Sequence, residues 1–509
     1  MKQNLKIKII SILYNLSWIL LRPFVLLIFK PKFFNINVIN EIEPPVIFAS
    51  NHKSFLDPWI ICAAFPFRSK FFPIIWLAAE RYFKMPVIGF IIKIYGSLPA
   101  KRGIGLENSL KETIYYLKEK KLSIGIFPEG KIVFDKDKID MFKRGIGYLF
   151  STTKIPIIPI ALSMDKRFNF SDLIIWKNKA YVFFGRPIYD IKGSYEEIAD
   201  YLQKVIKDLF DIKDCYIEKP NPTIDLENPN LLSKTLHFII VPFLNSKIFS
   251  RLVRIISKEG KMVSQKPGSA MSMEIVYNLP KKNFFSAKSL NEISSIIFDC
   301  LLFQTKALRN RLKIIKNLIK ESLDDISNKK EIQILSLGGG SCRSIISAIS
   351  EINKPEIISK ITIYSIDNDP ESNYLSAQVK KEFCLDNLKL EIINEDLLVF
   401  FKDPHKYISD IDFDLIEIVG IFDYLEEEEV INYLNNIYNL LKNEGYLIFS
   451  NIAPNNEAKF LENIGWPRLY YRNIVDWIYI VKNTAWKRAL KIIREPLGIH
   501  NIFYIKKQI

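Results

Sequence analysis

The stretch PPVIFASNHKSFLDPWIICAAF, residues 44–65, changes its pattern in the middle. Its first part, PPVIFAS, is a short apolar run with β-branched and aromatic residues, which predicts a buried strand. Its last part, DPWIICAAF, opens with Asp57 and Pro58, the acidic residue and proline that are typical of a helix start. His52 therefore lies on a turn from a strand into a helix. In α/β sheets such turns present reactive side chains on a short loop that is held rigidly on both sides.

His52 and Asp57 are the first candidate site residues. His52 is the first of four histidines in the chain, and the next one is His237. The Asp57 carboxylate is placed to accept a proton from one imidazole nitrogen, which leaves the other nitrogen as a base. From these residues alone, a helix cap at Asp57 beside a polar loop histidine is an equally open interpretation.

Composition limits the class of protein. A chain of 509 residues is too long for one ordinary core, which predicts two domains, and 49% hydrophobic residues exclude extended disorder. The net charge of +15 favours anionic partners, nucleic acid or acidic lipid headgroups, although a biased genome also produces lysine-rich chains. The five cysteines contain no CxxC pair, so we expect no disulfide framework and no metal site.

The amino terminus carries a long apolar stretch, IISILYNLSWILLRPFVLLIFK, residues 9–30, which Asn15, Arg22 and Pro23 interrupt. A spanning helix has roughly 20 apolar residues without a central charge and proline. Residues 1–40 therefore predict a pair of helices in the membrane interface, and we expect the protein at the cytoplasmic face of a membrane. A cleaved signal peptide is the weaker interpretation, because no small-residue cleavage site follows, and a buried core helix stays open.

Apolar strands and helical stretches alternate from Pro44 to about Ile188, as in an α/β domain. The stretch EKPNPTIDLENPN, residues 218–230, then marks a boundary. We predict a first domain in residues 1–215, a connector in 216–288 and a second α/β domain in 289–509. Near the start of the second domain, apolar residues at helical spacing predict one face of a long helix: Ile293, Ile296, Ile297, Leu301, Leu308, Leu312, Ile315 and Ile319.

The first domain contains further motifs in a fixed order: GSLPAKRG (96–103), FPEG (127–130), FKRGIG (142–147) and IPIIPIAL (155–162). Together with Asn51, His52 and Asp57, in the arrangement NHxxxxD, this series resembles the glycerolipid acyltransferases that act on lysophosphatidate and lysophospholipids. The similarity extends over residues 5–190. It implies that His52, oriented by Asp57, takes a proton from a lipid hydroxyl while that oxygen attacks the thioester of acyl-CoA or acyl-carrier protein.

The same resemblance implies a set of substrate-binding residues: Asn51, Arg102, Glu129, Gly130 and Lys131. Arg102 would bind the phosphate of the acceptor, Gly130 would let the backbone approach the substrate, and Glu129 would bind the acceptor or order nearby basic residues. Many family members continue FPEG with Thr-Arg-Ser, whereas this chain continues with Lys131 and Ile132. Lysophosphatidate, another lysophospholipid and a lyso-aminolipid therefore all stay open as acceptors.

The second domain begins with a strand that enters a glycine-rich turn, EIQILSLGGGSCRS, residues 331–344. Two further strands end at Asp367 and Gly420, and Asp396 follows another apolar run. This order resembles the class I S-adenosylmethionine-dependent methyltransferases over residues 290–509. TKALRNR (305–311) and GIFDYL (420–425) more loosely resemble the methyltransferases that make hydroxy fatty acid methyl esters.

The methyltransferase resemblance implies S-adenosylmethionine as cofactor. Gly338, Gly340 and Gly420 would allow close backbone approach, Asp367 would bind the ribose, and Asp396 would lie near the adenine. Two positions depart from the family: Ser336 stands where an acidic residue is expected, and Cys342 stands where the third glycine is expected. A methyltransferase fold without activity and an NAD-binding domain therefore stay open.

The whole sequence thus predicts a Rossmann-like methyltransferase domain fused to a membrane-associated acyltransferase domain with interfacial N-terminal helices, both α/β. The expected partners are membrane lipids and the acyl donor, and no nucleic acid. A nucleic-acid methyltransferase fits the basic charge, but the interfacial amino terminus argues against it. The rival from another class is a membrane-surface scaffold or binding protein with degenerate enzyme folds.

Overall fold

The structure is a computed structural model that describes residues 2–101, 103–166, 179–212, 217–218, 220–256, 258–279, 302–352, 354–408, 411–486 and 490–508. It divides into two compact units, Met1–Asp214 and Cys215–Ile509. Each unit contains a largely parallel sheet with helices packed on it, which confirms the α/β prediction for both halves of the chain. Arg102 and four residues of the predicted apolar helix face, Ile293, Ile296, Ile297 and Leu301, lie outside the described residues.

The first unit alternates helices and strands along most of its length. Its helices are α1 (Lys2–Leu20), α2 (Arg22–Phe29), α3 (Val38–Glu41), α4 (Asp57–Cys62), α5 (Glu80–Phe83), α6 (Pro86–Ile94), α7 (Leu106–Lys118), α8 (Gly145–Thr153) and α9 (Tyr195–Asp211). Its strands are β1 (Lys32–Phe34), β2 (Ile47–Ser50), β3 (Ile75–Ala79), β4 (Leu98–Ala100), β5 (Ile124–Ile126), β6 (Ile157–Met164) and β7 (Ala180–Phe184).

The sheet of the first unit has the strand order β1-β7-β6-β2-β5-β3-β4. All neighbours in it are parallel except β6 and β7, which are antiparallel. Strand β2 lies between β5 and β6 and is buried throughout. Because parallel neighbours end at the same edge, the turns that follow β2 and β5 meet there.

The two N-terminal helices pack on the first unit with one side only. Tyr14 and Trp18 of α1 donate side-chain hydrogen bonds to the backbone carbonyls of Ile74 and Phe65, and Phe29 of α2 is buried. The opposite side exposes large apolar side chains: Leu5, Ile9, Ile12, Leu16, Ile19, Leu20, Phe24 and Leu27. Across the described residues, no single helix has the length and apolarity to cross a membrane. Sufficient length and apolarity are found only when two helices are taken together, Leu5–Leu20 and Arg22–Phe29, which form a pair bent by 46°.

The second unit follows the same alternation after a helical beginning. Its helices are α10 (Leu231–Leu244), α11 (Lys247–Ile256), α12 (Lys258–Gln265), α13 (Ala270–Tyr277), α14 (Phe303–Asp325), α15 (Arg343–Ser350), α16 (Pro355–Ile358), α17 (Ser372–Glu382), α18 (Leu397–Phe400), α19 (His405–Ile408), α20 (Glu427–Leu440), α21 (Ala458–Asn463) and α22 (Ile474–Lys482). Its strands are β8 (Ile217–Glu218), β9 (Ile332–Leu337), β10 (Ile361–Ile366), β11 (Lys389–Ile393), β12 (Phe413–Val419), β13 (Leu441–Ile452), β14 (Lys491–Arg494) and β15 (His500–Lys506).

The second sheet has the order β11-β10-β9-β12-β13-β15-β14-β8. Its first five strands are parallel, and β15 is antiparallel to both of its neighbours. The chain order reverses between β9 and β12, where a doubly wound sheet opens a crevice at the carboxyl ends of its strands. The glycine-rich turn follows β9 and Gly420 follows β12, so both border this crevice.

The predicted long helix and the predicted connector can be compared directly with the second unit. The long helix begins at Phe303, and its residues Leu308, Ile315 and Ile319 are buried as predicted. The segment predicted as a connector is helical over α10–α13, and these helices belong to the second unit.

Candidate functional sites

The turn after β2 brings His52 and Asp57 together. His52 Nδ1 lies 2.8 Å from Asp57 Oδ2, and the Asp57 carboxylate is completely buried. In the tautomer that donates from Nδ1, the lone pair is on Nε2, as a general base requires. The helix α4 begins at Asp57, but the Asp57 side chain does not cap it. Of the two interpretations left open by the sequence, the structure therefore favours the paired imidazole and carboxylate.

The Asp57 carboxylate is held in place by its own turn. Its Oδ2 accepts hydrogen bonds from the backbone N–H groups of Lys53 and Ser54, at 2.5 and 2.9 Å, and its Oδ1 accepts one from Ser54 Oγ at 2.6 Å. These donors fix the carboxylate and therefore the imidazole that it orients.

Aromatic rings fix the plane of the imidazole. The His52 ring stacks on Phe127 with centroids 3.9 Å apart and planes 11° apart. Phe127 stacks in turn on Trp76, at 5.1 Å. Since Phe127 begins the FPEG turn, the NHxxxxD motif and the FPEG motif are in direct contact through this stacking.

Glu129 joins the two turns through backbone hydrogen bonds. Its Oε2 accepts from the His52 N–H at 2.7 Å, and its Oε1 accepts from the Asp140 N–H at 2.9 Å. Burial raises the pKa of Glu129 to about 7, while the two N–H donors oppose that shift. Both oxygens of Glu129 are thus engaged in ordering the turn around His52.

The remaining FPEG residues adopt the turn that the sequence predicts. Gly130 has φ = +66°, a left-handed conformation that favours glycine, and its N–H donates to the Phe127 carbonyl. Lys131 forms an ion pair with Asp140 at 2.5 Å, and both side chains are partly exposed. Lys131 therefore lies on the exposed side of the same turn.

Asn51 is buried, and its side chain forms hydrogen bonds within the sheet. Its Nδ2 donates to the Leu162 carbonyl at 2.8 Å, and its Oδ1 accepts from the Leu162 N–H at 2.7 Å. Both ends of the amide are therefore engaged by β6, so the structure shows Asn51 joining two strands.

Lys53 is a further residue of this site that sequence reasoning missed. Its Nζ donates to the carbonyl of Asp135 at 2.7 Å and to that of Lys138, which holds the loop between the FPEG turn and α8. Burial lowers the pKa of the Lys53 ammonium, and the carboxylates of Glu129 and Asp57 oppose that effect. The one signal in the sequence is its position directly after His52.

An apolar cavity of about 100 Å³ lies beneath the N-terminal helices. Trp76, which stacks on Phe127, lines it, so the rings connect the cavity with the imidazole. Its other apolar walls come from Trp18, Val25, Phe55, Trp59, Phe72 and Ile91.

The second unit contains a larger cavity of about 580 Å³. Four predicted cofactor residues line it: Gly338, Gly340, Asp367 and Gly420. The Asp367 carboxylate accepts from the N–H groups of Gly340 and Asp369, at 2.7 and 2.8 Å. Asp396 caps α18 by accepting from the Leu398 N–H, and it does not line the cavity. It contacts Asn368, which does line the cavity.

The glycine-rich turn is approached too closely by neighbouring residues to carry side chains easily. Gly338 and Gly340 have φ values of +66° and +52°. A Cβ on Gly340 would lie 3.0 Å from the Cβ of Ala270, at the start of α13. Helix α13 is tied to this turn because Glu274 accepts hydrogen bonds from Ser341 and Arg343. The predicted connector therefore contributes one wall of the cavity.

Cys342 and Ser336 are the two positions that depart from the methyltransferase pattern, and both are buried. Cys342 is buried in the core, and burial raises the pKa of its thiol to about 12. Ser336 is paired in register with Glu417 of the neighbouring strand β12. The hydroxyls of Ser336 and Ser344 donate to Glu417 Oε1, at 3.3 and 2.9 Å. A carboxylate thus lies beside the position where the methyltransferase resemblance predicts one, and the sequence gives no sign of it.

Several buried polar atoms of the cavity walls have no hydrogen-bond partner among the residues that the structure describes. They are Gln304 Oε1, Arg311 Nε, Glu417 Oε2 and His500 Nδ1. The guanidinium of Arg311 lies beside Gly420 and 4.0 Å from Asp423. Buried polar atoms are normally paired, so these four atoms mark the polar part of the cavity wall.

Comparison with known proteins gives the family of part of the first unit. Residues 31–163 match the model of the Acyltransferase family, and this part of the chain is an acyltransferase-family domain. The chain is 29% identical over 159 residues to a chloroplastic 1-acyl-sn-glycerol-3-phosphate acyltransferase of Brassica napus, with 30% of this chain and 43% of that protein covered. It is 25% identical over 182 residues to the 1-acyl-sn-glycerol-3-phosphate acyltransferase of Saccharomyces cerevisiae, with 34% and 56% covered. The chain thus spans about half the length of these curated relatives.

Among solved structures, the chain is similar to a possible exported protein from Bordetella parapertussis, with a TM-score of 0.41 and 13% identity over 54% of this chain and 97% of that one. It is also similar to magnesium protoporphyrin IX methyltransferase from Synechocystis with bound SAH, with a TM-score of 0.30 and 13% identity over 41% of this chain and 88% of that one.

Proposed function

We propose that the first unit transfers a fatty acyl group from acyl-CoA or acyl-carrier protein to a hydroxyl of a lysophospholipid or 1-acylglycerol-3-phosphate at a membrane. The observation that carries this proposal is the His52–Asp57 pair, fixed by the Asp57 turn and by the Phe127 ring within an acyltransferase-family domain.

The geometry supports a direct transfer. His52 Nε2 removes the proton of the acceptor hydroxyl as that oxygen attacks the thioester carbonyl, and Asp57 stabilises the imidazolium that forms. The tetrahedral intermediate then expels the thiolate, which receives the proton from the imidazolium, so the products are an ester and a free thiol. In this proposal Arg102 and Lys131 bind the acidic headgroup of the acceptor. The apolar cavity next to Trp76 accommodates part of an acyl chain.

The His52→Ala variant tests this proposal. We expect loss of acyl transfer by about 100-fold or more, because the general base is gone, while folding and membrane binding persist. Radiolabelled acyl-CoA with a panel of lysolipids measures the rate. His405→Ala serves as the matched control, since His405 is exposed in the second unit. Near wild-type transfer by His52→Ala to every lysolipid would refute the assignment.

A second candidate function, carried by the cavity of the second unit, is methyl transfer to a lipid or fatty-acid group. S-adenosylmethionine would supply an activated methyl group there. The residues fit such a cofactor: the left-handed glycines would let it approach the backbone, and Asp367 would accept from ribose hydroxyls. Glu417 Oε2 would accept from its amine and so take the part of the acid missing at Ser336.

The acceptor side of this cavity combines a buried cation with apolar walls. Arg311 provides a guanidinium whose Nε is unpaired within the described part of the chain, and Leu302, Phe460, Leu461 and Ile464 line the cavity. An anionic amphiphile matches both features. A nucleic acid would leave the apolar walls without a partner.

Titration calorimetry of the full chain with S-adenosylmethionine tests this second function. We expect Glu417→Gln to weaken binding about tenfold, because a charge-assisted hydrogen bond is lost. Glu321→Gln, an exposed change on α14, is the control. Absence of heat for the folded wild type would refute cofactor binding itself. Binding that Glu417→Gln leaves unchanged would refute only the role of Glu417.

A further inference from the structure

Helices α10 and α11 meet at a corner that exposes a continuous set of large apolar side chains. Phe238, Ile239 and Phe243 lie on α10, and Ile248 and Leu252 lie on α11. Their side chains are between 38% and 71% exposed. Single exposed apolar residues are common, but five within fifteen residues of chain form a patch of the kind that marks an interaction site. We call these five residues the apolar corner.

The other side of the same helices is firmly attached to the second unit. Leu244 and Phe249 are buried in a core cluster with Phe460. Asn245, between the two helices, donates to the Asn456 carbonyl and accepts from the Phe460 N–H, at 2.7 and 3.0 Å. The apolar corner is therefore displayed on an anchored pair of helices.

His237 adds a further attachment. Its Nε2 lies 3.1 Å from Glu457 Oε1, and Glu457 accepts the N–H groups of Phe303 and Gln304 at the start of α14. Helix α10 is thus joined to the helix that supplies Gln304 and Arg311 to the cavity.

The charge of these two helices has a single sign. Residues 231–256 contain four basic residues and no acidic one: Lys234, Lys247, Arg251 and Arg254. Lys247 and Arg251 are exposed on α11, next to Ile248 and Leu252. Apolar side chains with adjacent lysine and arginine are the pattern of helices that lie in the headgroup region of an anionic bilayer.

We propose that the apolar corner docks the second unit on the surface of an anionic lipid bilayer. Phe238, Ile239 and Phe243 insert among the acyl chains, and Lys247 and Arg251 bind lipid phosphates. The core cluster beneath the corner contains Leu302, Phe460 and Leu461, which also line the large cavity. Docking at this corner brings the apolar wall of that cavity within one helix layer of the membrane. The proposal rests on the surface of the second unit alone and does not depend on either proposed reaction.

Hydrogen–deuterium exchange of the full chain, with and without vesicles, tests the proposal locally. The vesicles contain phosphatidylethanolamine with phosphatidylglycerol in one set and phosphatidylcholine alone in the other. We expect peptides within residues 233–252 to gain protection with the anionic set, and less with phosphatidylcholine. Because the readout is local, binding through the N-terminal helices alone leaves these peptides unchanged and overturns the proposal.

The double variant Ile239→Glu, Phe243→Glu tests the same surface by vesicle co-sedimentation of the full chain. We expect binding to the anionic vesicles to weaken about tenfold or more, since two partly buried apolar contacts are lost. Leu398→Glu with Val399→Glu is the matched control, because both residues are exposed and apolar on α18. Equal binding by both double variants overturns the proposal. The proposal is also overturned if protection of residues 233–252 increases with protein concentration in the absence of lipid. That result would show that a second copy of the chain covers the apolar corner.

Discussion

Glu129 holds a carboxylate in the interior of the first unit, with its two oxygens bound to the backbone N–H groups of His52 and Asp140. Burial is the larger effect on this group, and it raises the pKa to about 7 from an ordinary value of 4.5. Between these two values the folded protein binds more protons at Glu129 than the unfolded chain does. The stability that this proton uptake contributes is present below pH 4.5 and is lost as the pH rises through 7.

Comparison of the wild type with Glu129→Gln isolates this titration. The variant lacks the titrating group, so we expect the wild type to lose stability relative to it between about pH 4.5 and 7, and no further change above that window. Thermal unfolding midpoints across pH 4 to 8 measure the difference. A difference that stays constant across the window would show that Glu129 does not titrate there.

For single residues, the sequence predicts contacts between positions close together in the chain and does not predict contacts between distant positions. The turn from a strand into a helix places His52 near Asp57, and the structure shows the pair at 2.8 Å. Asn51 contacts Leu162, 111 residues away, and Glu417 contacts Ser336, 81 residues away. Neither contact has a spacing signal, because both depend on which strands become neighbours in the sheet. The assigned roles of the site residues remain predictions.

Among the elements, the apolar strands were predictable because buried parallel strands are largely apolar runs rich in Ile and Leu, as in β6 and β9. Helices α10–α13 were not, since prolines and asparagines before them indicate a linker. Their packing depends on contacts with elements distant in the chain, such as the bond from Arg343 of α15 to Glu274 of α13.

The N-terminal helix pair allows a prediction at the scale of an element. Its inner side packs on the first unit through Tyr14 and Phe29, whereas Ile12 and Phe24 are exposed on the outer side. We expect Ile12→Glu with Phe24→Glu to move the full chain from the membrane fraction toward the soluble one without unfolding it, because only the exposed outer side changes. Increasing salt should also weaken membrane binding by the unaltered chain, since lysine contacts with anionic lipid are screened, and fractionation measures this.

Tyr189→Glu with Tyr201→Glu is the matched control for this experiment, because both residues are exposed in the same unit. If the helix-pair variant and the control fractionate alike, the helices serve the packing of the first unit and not the membrane. That result would restore the interpretation of residues 9–30 as core helices.

For the whole molecule, the decisive feature is that each candidate site is built from one unit. His52, Asp57 and Glu129 all belong to Met1–Asp214, and Asp367 and Glu417 belong to Cys215–Ile509. Each unit also has a hydrophobic core of its own, around Phe48 in the first and Ile334 in the second. A protein with two such units and two sets of candidate site residues is expected to lose the two proposed functions separately.

Two variants assayed in parallel test this separation. We expect His52→Ala to lose acyl transfer about 100-fold or more and to bind S-adenosylmethionine as the wild type does. We expect Asp367→Ala to weaken S-adenosylmethionine binding about tenfold, because a carboxylate acceptor is lost, and to keep the acyl-transfer rate. Radiolabelled acyl transfer and titration calorimetry on the same full-length preparations measure both quantities. If either variant, shown to be folded by circular dichroism, lost both functions, the two sites would be coupled and the units could not be regarded as separate enzymes.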